Sequence, residues 1–240
     1  MDMMVKPYNA EGSKKTQVSE MFDNIAKRYD FLNHFLSLGI DKWWRKKMID
    51  ELVVGKPRVI LDVATGTADV AIAITKRMEV EKITGVDISP EMLAYGRKKI
   101  GALGLEGVIE LEDGDSENLP YKDNNFDAIT VAYGVRNFEH LELGLAEMYR
   151  VLKPSGKLVV LEFSKPTVFP FKQLFNFYFQ RILPVIGRIT SQDSKAYSYL
   201  YESVQAFPNG GAFVAVLDKT GFQSTQCKSL SFGKVICRLV

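Results

Sequence analysis

The chain has 240 residues, 46% hydrophobic and 25% charged, the balance of a soluble domain large enough to bury a sizeable core. Its 31 basic and 29 acidic residues leave a net charge of +2, without the basic stripe that a nucleic-acid surface would need, and two cysteines with two histidines are too few for a typical zinc site. The opening stretch MDMMVKPYNAEGSKK is polar and carries no apolar signal core, so a cytoplasmic protein is expected.

Residues 15 to 55 read as helices. Val18, Met21, Phe22, Ile25 and Tyr29 recur at helical spacing, and Asp41 reads as the cap of KWWRKKMIDELV. Residues 57 to 163 alternate strand and helix. VILDVATGTADVAIAI at 59 to 74 is an apolar strand, a tight turn around Gly66 and a helix, and ITGVDIS at 83 to 89 is a second strand ending at Asp87. Ser89 as N-cap and Pro90 at the first helical position open a helix over 90 to 103. The strands VIELEDGD and FDAITVAYG follow, the latter apolar nearly throughout, as strands buried on both faces are. The helix LELGLAEMYRVL, the turn KPSG and the strand KLVVLEF complete the alternation. A helical insert interrupts it over 165 to 202, and residues 203 to 240 add a helix around 209 to 220 and the strands STQCKSLS and GKVICRLV. A single domain over residues 1 to 240 is expected. Cys227 and Cys237, in the last two strands, read as buried thiols.

The 59 to 89 unit carries the chemistry. A glycine turn at a helix start lets backbone N–H groups approach a ligand, and a carboxylate at the neighbouring strand tip can accept hydrogen bonds from ribose hydroxyls. The 25 residues separating Asp62 from Asp87 are about one strand–helix–strand unit. An adenosine-bearing cofactor is the first hypothesis. A dinucleotide would call for G-x-G-x-x-G, whereas Asp62-Val-Ala-Thr-Gly-Thr-Ala-Asp69 has one glycine. Ala64 and Ala68 hold a ligand further away than glycine would, and Asp62 repels a phosphate but attracts an ammonium. S-adenosylmethionine has the ammonium and no phosphate. Asp115 and Ser116 close the third strand, and the Tyr133 to Asn137 turn closes the fourth. In an open parallel sheet, ligands bind outside these carboxyl ends.

The insert VFPFKQLFNFYFQRILPVIGRI is rich in Phe and Tyr, but Pro170, Pro184, Lys172 and Arg181 break it, so it cannot span a bilayer. It is either a lid helix packed on the core or an amphipathic surface facing an apolar substrate or the membrane interface.

VSEMFDNIAKRYDFLNHFLSLGIDKWWRK, LDVATGTAD, YGVRNF, YRVLKPSGKLVVLEFSKP and YSYLYESVQAFPNG together resemble the menaquinone/ubiquinone-biosynthesis C-methyltransferases of the UbiE/MenG type, from about residue 17 to the C-terminus. The resemblance implies an α/β, Rossmann-like class I methyltransferase fold: a mostly parallel seven-stranded sheet with helices on both faces and an N-terminal helical cap. It implies methyl transfer from S-adenosylmethionine to a ring carbon of a polyprenylated quinol, converting demethylmenaquinol to menaquinol, with 2-polyprenyl-6-methoxy-1,4-benzoquinol as the alternative substrate. Residues equivalent to Thr67, Asp87, Asp115 and Ser116 contact the cofactor in this family, and with Asp62 and Gly66 they form the expected cofactor set. This chain departs from the family at Ala68, usually glycine, and at Ala132, often serine. Less favoured alternatives are a nicotinamide-dependent oxidoreductase and a nucleic-acid methyltransferase. The first lacks two glycines and the second lacks a basic face. Expected partners are the quinol and no nucleic acid, with a peripheral contact at the inner face of the membrane and a homo-oligomer left open.

Methylating a ring carbon requires deprotonation of a quinol hydroxyl, so that charge reaches the adjacent carbon, and placement of that carbon about 3 to 3.5 Å from the methyl donor. Arg136 is the candidate for stabilising the quinolate and Asn137 for positioning it; the competing reading pairs Arg136 with Glu162 or Asp127 to fix the turn. Tyr29, Asp30, His34, Tyr133 or a bound water could accept the proton. No metal is required, because the acids are spread one per strand end.

Overall fold

A computed structural model of the chain describes residues 5–8, 10–37, 39–165, 169–178, 181, 195–208, 210–230 and 234–239. Two helices come first, α1 (Lys14–Leu36) and α2 (Ile40–Val53). The alternating core follows as β1 (Val59–Val63), α3 (Asp69–Thr75), β2 (Lys82–Asp87), α4 (Pro90–Leu103), β3 (Ile109–Asp113), β4 (Phe126–Ala132), a 3₁₀ turn (Val135–Asn137), α5 (Leu141–Val151) and β5 (Leu152–Phe163). Then come α6 (Phe171–Phe177), α7 (Lys195–Ala206), α8 (Gly211–Thr220), β6 (Gln226–Ser229) and β7 (Lys234–Leu239). The strands form one sheet in the order β3-β2-β1-β4-β5-β7-β6. The first five run parallel, and β7 is antiparallel to both β5 and β6.

Strand alternation divides the core between the two faces of the sheet. Leu61, Val63, Ile129, Val131, Leu158 and Val160 pack with Leu145 and Met148 of α5 and with Phe213 and Leu217 of α8. Ile60, Ala128, Val159 and Leu161 face the other way, with Met48 and Leu52 of α2, Ile74 of α3 and Leu93 of α4. This is the mostly parallel sheet, covered on both faces, that the resemblance implies. The chain runs outward from β1 through β2 to β3, then returns to β4 and β5 on the other side. The crevice between the carboxyl ends of β1 and β4 is therefore the topological switch point.

Local signals explain most boundaries. Ser89 caps α4, its hydroxyl accepting from Met92 N, with Pro90 at the first helical position. Asp41 does not cap α2. That place belongs to Gly39, in a left-handed conformation, while Asp41 sits in the first turn and bonds Ser37 Oγ and Arg45. The KPSG turn belongs to β5 as an irregularity: Leu152 pairs with Phe126 and Lys157 with Ala128, and Ser155 takes φ 63°. The last helix before α8 continues to Ala206.

Cys227 also differs from the sequence reading, and the Cys237 side chain lies outside the described residues. Cys227 is half-buried and disulfide-bonded, and no free cysteine occurs among the described residues. The reason is register: Cys227 and Cys237 are Cα partners on β6 and β7, and facing residues of an antiparallel pair lie about 4.5 to 5.5 Å apart, within disulfide range.

The turns after β1 and β4 touch. A Cβ on Gly134 would lie 2.5 Å from Ala64 Cβ and 3.1 Å from Val131 Cγ1, so the two strand ends approach as closely as a missing side chain allows. Gly134→Ala is expected to lower the unfolding free energy by about 1 to 3 kcal/mol in urea titrations. Gly107→Ala, where a Cβ meets nothing within 4 Å, should stay within about 0.5 kcal/mol of the parent.

Candidate active site

The turn after β1 is wound tightly: Ala64, Gly66 and Ala68 take φ of 53°, 56° and 63°. Glycine accepts this conformation freely, whereas each alanine bears a cost of about 1 to 2 kcal/mol. The compensation lies in Asp62, 1% exposed on β1. Its Oδ2 accepts the Thr65 hydroxyl and its Oδ1 the hydroxyl of Thr130, its register partner on β4, both at 2.6 Å. Thr65 N donates to Val86 O at 3.1 Å and Gly66 N to Asp87 Oδ2 at 2.8 Å, which ties the turn to the end of β2. Ser89 N holds the other Asp87 oxygen at 2.9 Å.

A cleft of about 650 Å³, counting its open mouth, lies over the switch point. Of the residues singled out by sequence, Gly66, Asp87, Asp115, Ser116 and Asn137 line it. Asp62, Thr67 and Arg136 do not. Asp62 is sealed beneath the turn. The Thr67 hydroxyl donates to Asp30 Oδ1 at 2.5 Å and accepts from Lys99 Nζ at 3.1 Å, on the side facing α1 and α4. Ala132, in the place where the family often has serine, also lines the cleft and offers no hydroxyl.

The opposite wall belongs to α1, through residues that sequence reasoning missed. Lys15 bridges Asp115 and, at 3.3 Å, Glu117. Lys14 Nζ donates to the carbonyls of Arg136 at 2.9 Å and Phe138 at 2.8 Å, and burial together with the nearby Arg136 charge lowers its pKa to about 8. Val18 and Phe22 add apolar surface to the cleft, which Phe138 also lines. The Lys14 and Lys15 contacts span 100 residues of sequence or more, and no local motif announces them.

Arg136 realises the first of its two structural alternatives. Its Nη1 lies 3.0 Å from Glu162 Oε1 and also donates to Tyr133 O, both charged side chains are buried, and the guanidinium stands 5.3 Å from the Phe163 ring centroid. Asp127 is engaged elsewhere, accepting from Arg58 N and Val59 N and pairing with Lys153. Asn137 Nδ2 reaches the same Tyr133 carbonyl at 3.3 Å. Arg136 Nε, Asn137 Oδ1 and the Tyr199 hydroxyl are buried without a hydrogen-bond partner among the described residues. A buried polar atom left so costs about 1 to 3 kcal/mol.

The proton-acceptor candidates also separate. Burial holds the Tyr29 phenol above its ordinary pKa and the Tyr133 phenol well above it, so both line the cleft as neutral groups. Asp30 is taken up by Thr67 and, at 2.8 Å, by Lys99. The His34 side chain lies outside the described residues.

Burial pushes the carboxyls of Asp62 and Asp87 up to about 6, from an ordinary 3.8. Between those values the folded protein keeps a proton that the unfolded chain has released, so this contribution to stability falls as pH rises from about 4 to 6. Asp87→Asn removes one such titration. The variant should gain on the parent across this window, by at most about 1.4 kcal/mol per pH unit, in urea unfolding at stepped pH. A difference independent of pH would mean that Asp87 is ionised throughout.

The ubiE/COQ5 methyltransferase family matches residues 10–239. A demethylmenaquinone methyltransferase of Bacteroides fragilis is 48% identical over 235 residues, covering 98% of this chain and 95% of that protein. A ubiquinone/menaquinone biosynthesis C-methyltransferase UbiE of Geotalea daltonii is 46% identical over 221 residues, 92% of this chain and 94% of that one. Among solved structures, a SAM-dependent methyltransferase from Thermotoga maritima superposes with a TM-score of 0.66 at 18% identity, covering 92% of this chain and 98% of that one, a likeness of fold. From the YGVRN turn to the switch-point cleft, sequence and architecture agree: the chain belongs to the ubiE/COQ5 methyltransferase family.

Proposed function

We propose that this protein is an S-adenosylmethionine-dependent C-methyltransferase that converts demethylmenaquinol to menaquinol in quinone biosynthesis. The observation that carries the reading is the cleft itself. It joins a bare glycine turn and strand-tip acids, suited to a nucleoside, with the apolar surface of Val18, Phe22 and Phe138, suited to an aromatic ring. The residues fit the cofactor. Gly66 leaves no Cβ beside the cleft, and Asp87 presents a carboxylate already oriented by two backbone N–H groups. When bound, S-adenosylmethionine supplies a methyl group on a sulfonium centre.

Each residue then has a definite task. Asp87 accepts hydrogen bonds from the ribose hydroxyls, and Asp115 and Ser116 meet the adenine end. Asp62 and Thr67 act through the turn, fixing Gly66 without touching the ligand. Asn137 positions the quinol from the cleft wall. Arg136 works from behind that wall. Because Glu162 balances its charge, it brings a dipole to the site, not a net positive charge. Apolar walls suit the chemistry, since charge is neutralised when a quinolate carbon takes a methyl group from a cation. Tyr29 and Tyr133, held neutral, serve as hydroxyl donors and not as bases.

Relatives named for demethylmenaquinone at 48% and 44% identity support the naphthoquinol. A relative named for both quinones, at 46%, keeps the benzoquinol as the second reading. Supplying demethylmenaquinol and the benzoquinol separately with methyl-labelled cofactor should place label in menaquinol. Label in the benzoquinol alone would reassign the substrate, and label in neither would sink the function.

A polyprenylated substrate resides in a bilayer, so the enzyme meets it at the membrane surface. No described helix is long and apolar enough to cross a membrane. The insert instead shows two apolar faces. Phe175 is buried with Tyr197 and Val204 of α7, while Phe169, Leu174 and Phe177 are 75%, 59% and 58% exposed. Phe179 of the same segment lies outside the described residues. Replacing Leu174 and Phe177 together by serine is expected to raise KM for a long-tailed quinol in vesicles by about tenfold, with little change for a tail-less quinol in solution. Equal effects on both would remove α6 from tail handling.

A further inference from the structure

Tyr199 lies in the second turn of α7, 2% exposed, in an apolar cluster with Val18 and Met21 of α1. Val18 is itself part of the cleft wall, so the Tyr199 ring stands directly behind that wall. Phenylalanine would satisfy the same packing. The hydroxyl is what packing does not explain, since it is buried and has no partner among the described residues.

Two further buried atoms without a partner among the described residues, Arg136 Nε and Asn137 Oδ1, belong to neighbouring side chains that converge. Arg136 and Asn137 both donate to the carbonyl of Tyr133, so Arg136 Nε and Asn137 Oδ1 lie within a few ångströms of that oxygen. α7 packs against the 3₁₀ turn that carries them. Both Arg136 and Glu162 act electrostatically on the Tyr199 phenol, which burial keeps protonated and hence a donor.

The inventory of these atoms is specific. Tyr199 O–H and Arg136 Nε–H are donors, and Asn137 Oδ1 is an acceptor. A phenolic hydroxyl is the complement, with one proton to give and two lone pairs to receive. A quinone carbonyl is not, because it has no proton for Asn137, and a methyl ether fails for the same reason. We infer that Tyr199, Arg136 Nε and Asn137 Oδ1 form a receptor for one ring hydroxyl of the substrate, which reaches past Asn137, the one of the three on the cleft, to the two atoms behind its wall, with Tyr199 a positioning and specificity residue that selects the reduced diol over its oxidised or etherified forms. This rests on the quinol reading given above.

The pocket can be tested apart from turnover. With S-adenosylhomocysteine-loaded protein, calorimetry should show 1,4-naphthalenediol binding at least about tenfold more tightly than 1,4-dimethoxynaphthalene, and Y199F should narrow that ratio several-fold while leaving S-adenosylhomocysteine affinity unchanged. In turnover, Y199F should lower kcat/KM for the quinol by about tenfold and move the rising limb of its pH profile to higher pH, because a bound quinolate loses one stabilising donor. Y199F with parental diol selectivity, parental kcat/KM and higher thermal stability would overturn the inference, leaving the hydroxyl a tolerated cost. Should Y199F fail to fold, the diol-to-diether ratio of the parent decides, equal affinities refuting the receptor. A parent that selects the diol yet methylates no quinol would refute the proposed function and leave the pocket standing.

Discussion

One buried carboxylate organises the cofactor end of this molecule. Asp62 has both oxygens occupied by threonine hydroxyls, one from the turn that follows β1 and one from β4, so a single side chain spans the two strands between which the sheet changes direction. Without those bonds, a turn with three left-handed residues, two of them alanines, would have little to hold it. With them, Gly66 N and Thr65 N are aimed at β2, and Asp87 is fixed from its own backbone side. The acid that looks like a ligand contact in the sequence is a structural member, and the acid one unit further on faces the cleft.

That distinction marks how far the sequence could be read. Strand ends were legible because apolar runs stop at polar residues, and α4 was legible because Ser89 and Pro90 act through their own local geometry. Whether a strand-end polar group points into the cleft or beneath it depends on pairing register. Asp62 faces Thr130 only because β1 and β4 are neighbours, which nothing local reveals. Asp41 fails as a cap because Gly39 can take the left-handed conformation and begin the helix earlier. Cys227 fails as a thiol for a related reason, since the strand position that faces it is a property of the β6–β7 register. Lys14, Lys15 and Arg45 could not have been singled out, as ordinary cations within helices whose partners are tertiary.

Charge compensation is a second theme. Arg136 with Glu162, Arg45 with Asp41 and Asp69, and Lys99 with Asp30 and Asp69 surround the reaction region with buried or half-buried pairs. Oriented pairs supply local fields without the net charge that would hold water in the cavity. Such an arrangement suits two oppositely charged reactants that finish uncharged.

The first turn of α1 has its own consequence. Lys15 pairs with Asp115 at the end of β3 while Lys14 is pinned to carbonyls at the end of the 3₁₀ turn after β4, so one helical turn ties two strand ends on opposite sides of the switch point. If Asp115 meets the adenine as proposed, the nucleoside and Lys15 would share one acid, and cofactor affinity would then depend on how firmly this turn is seated.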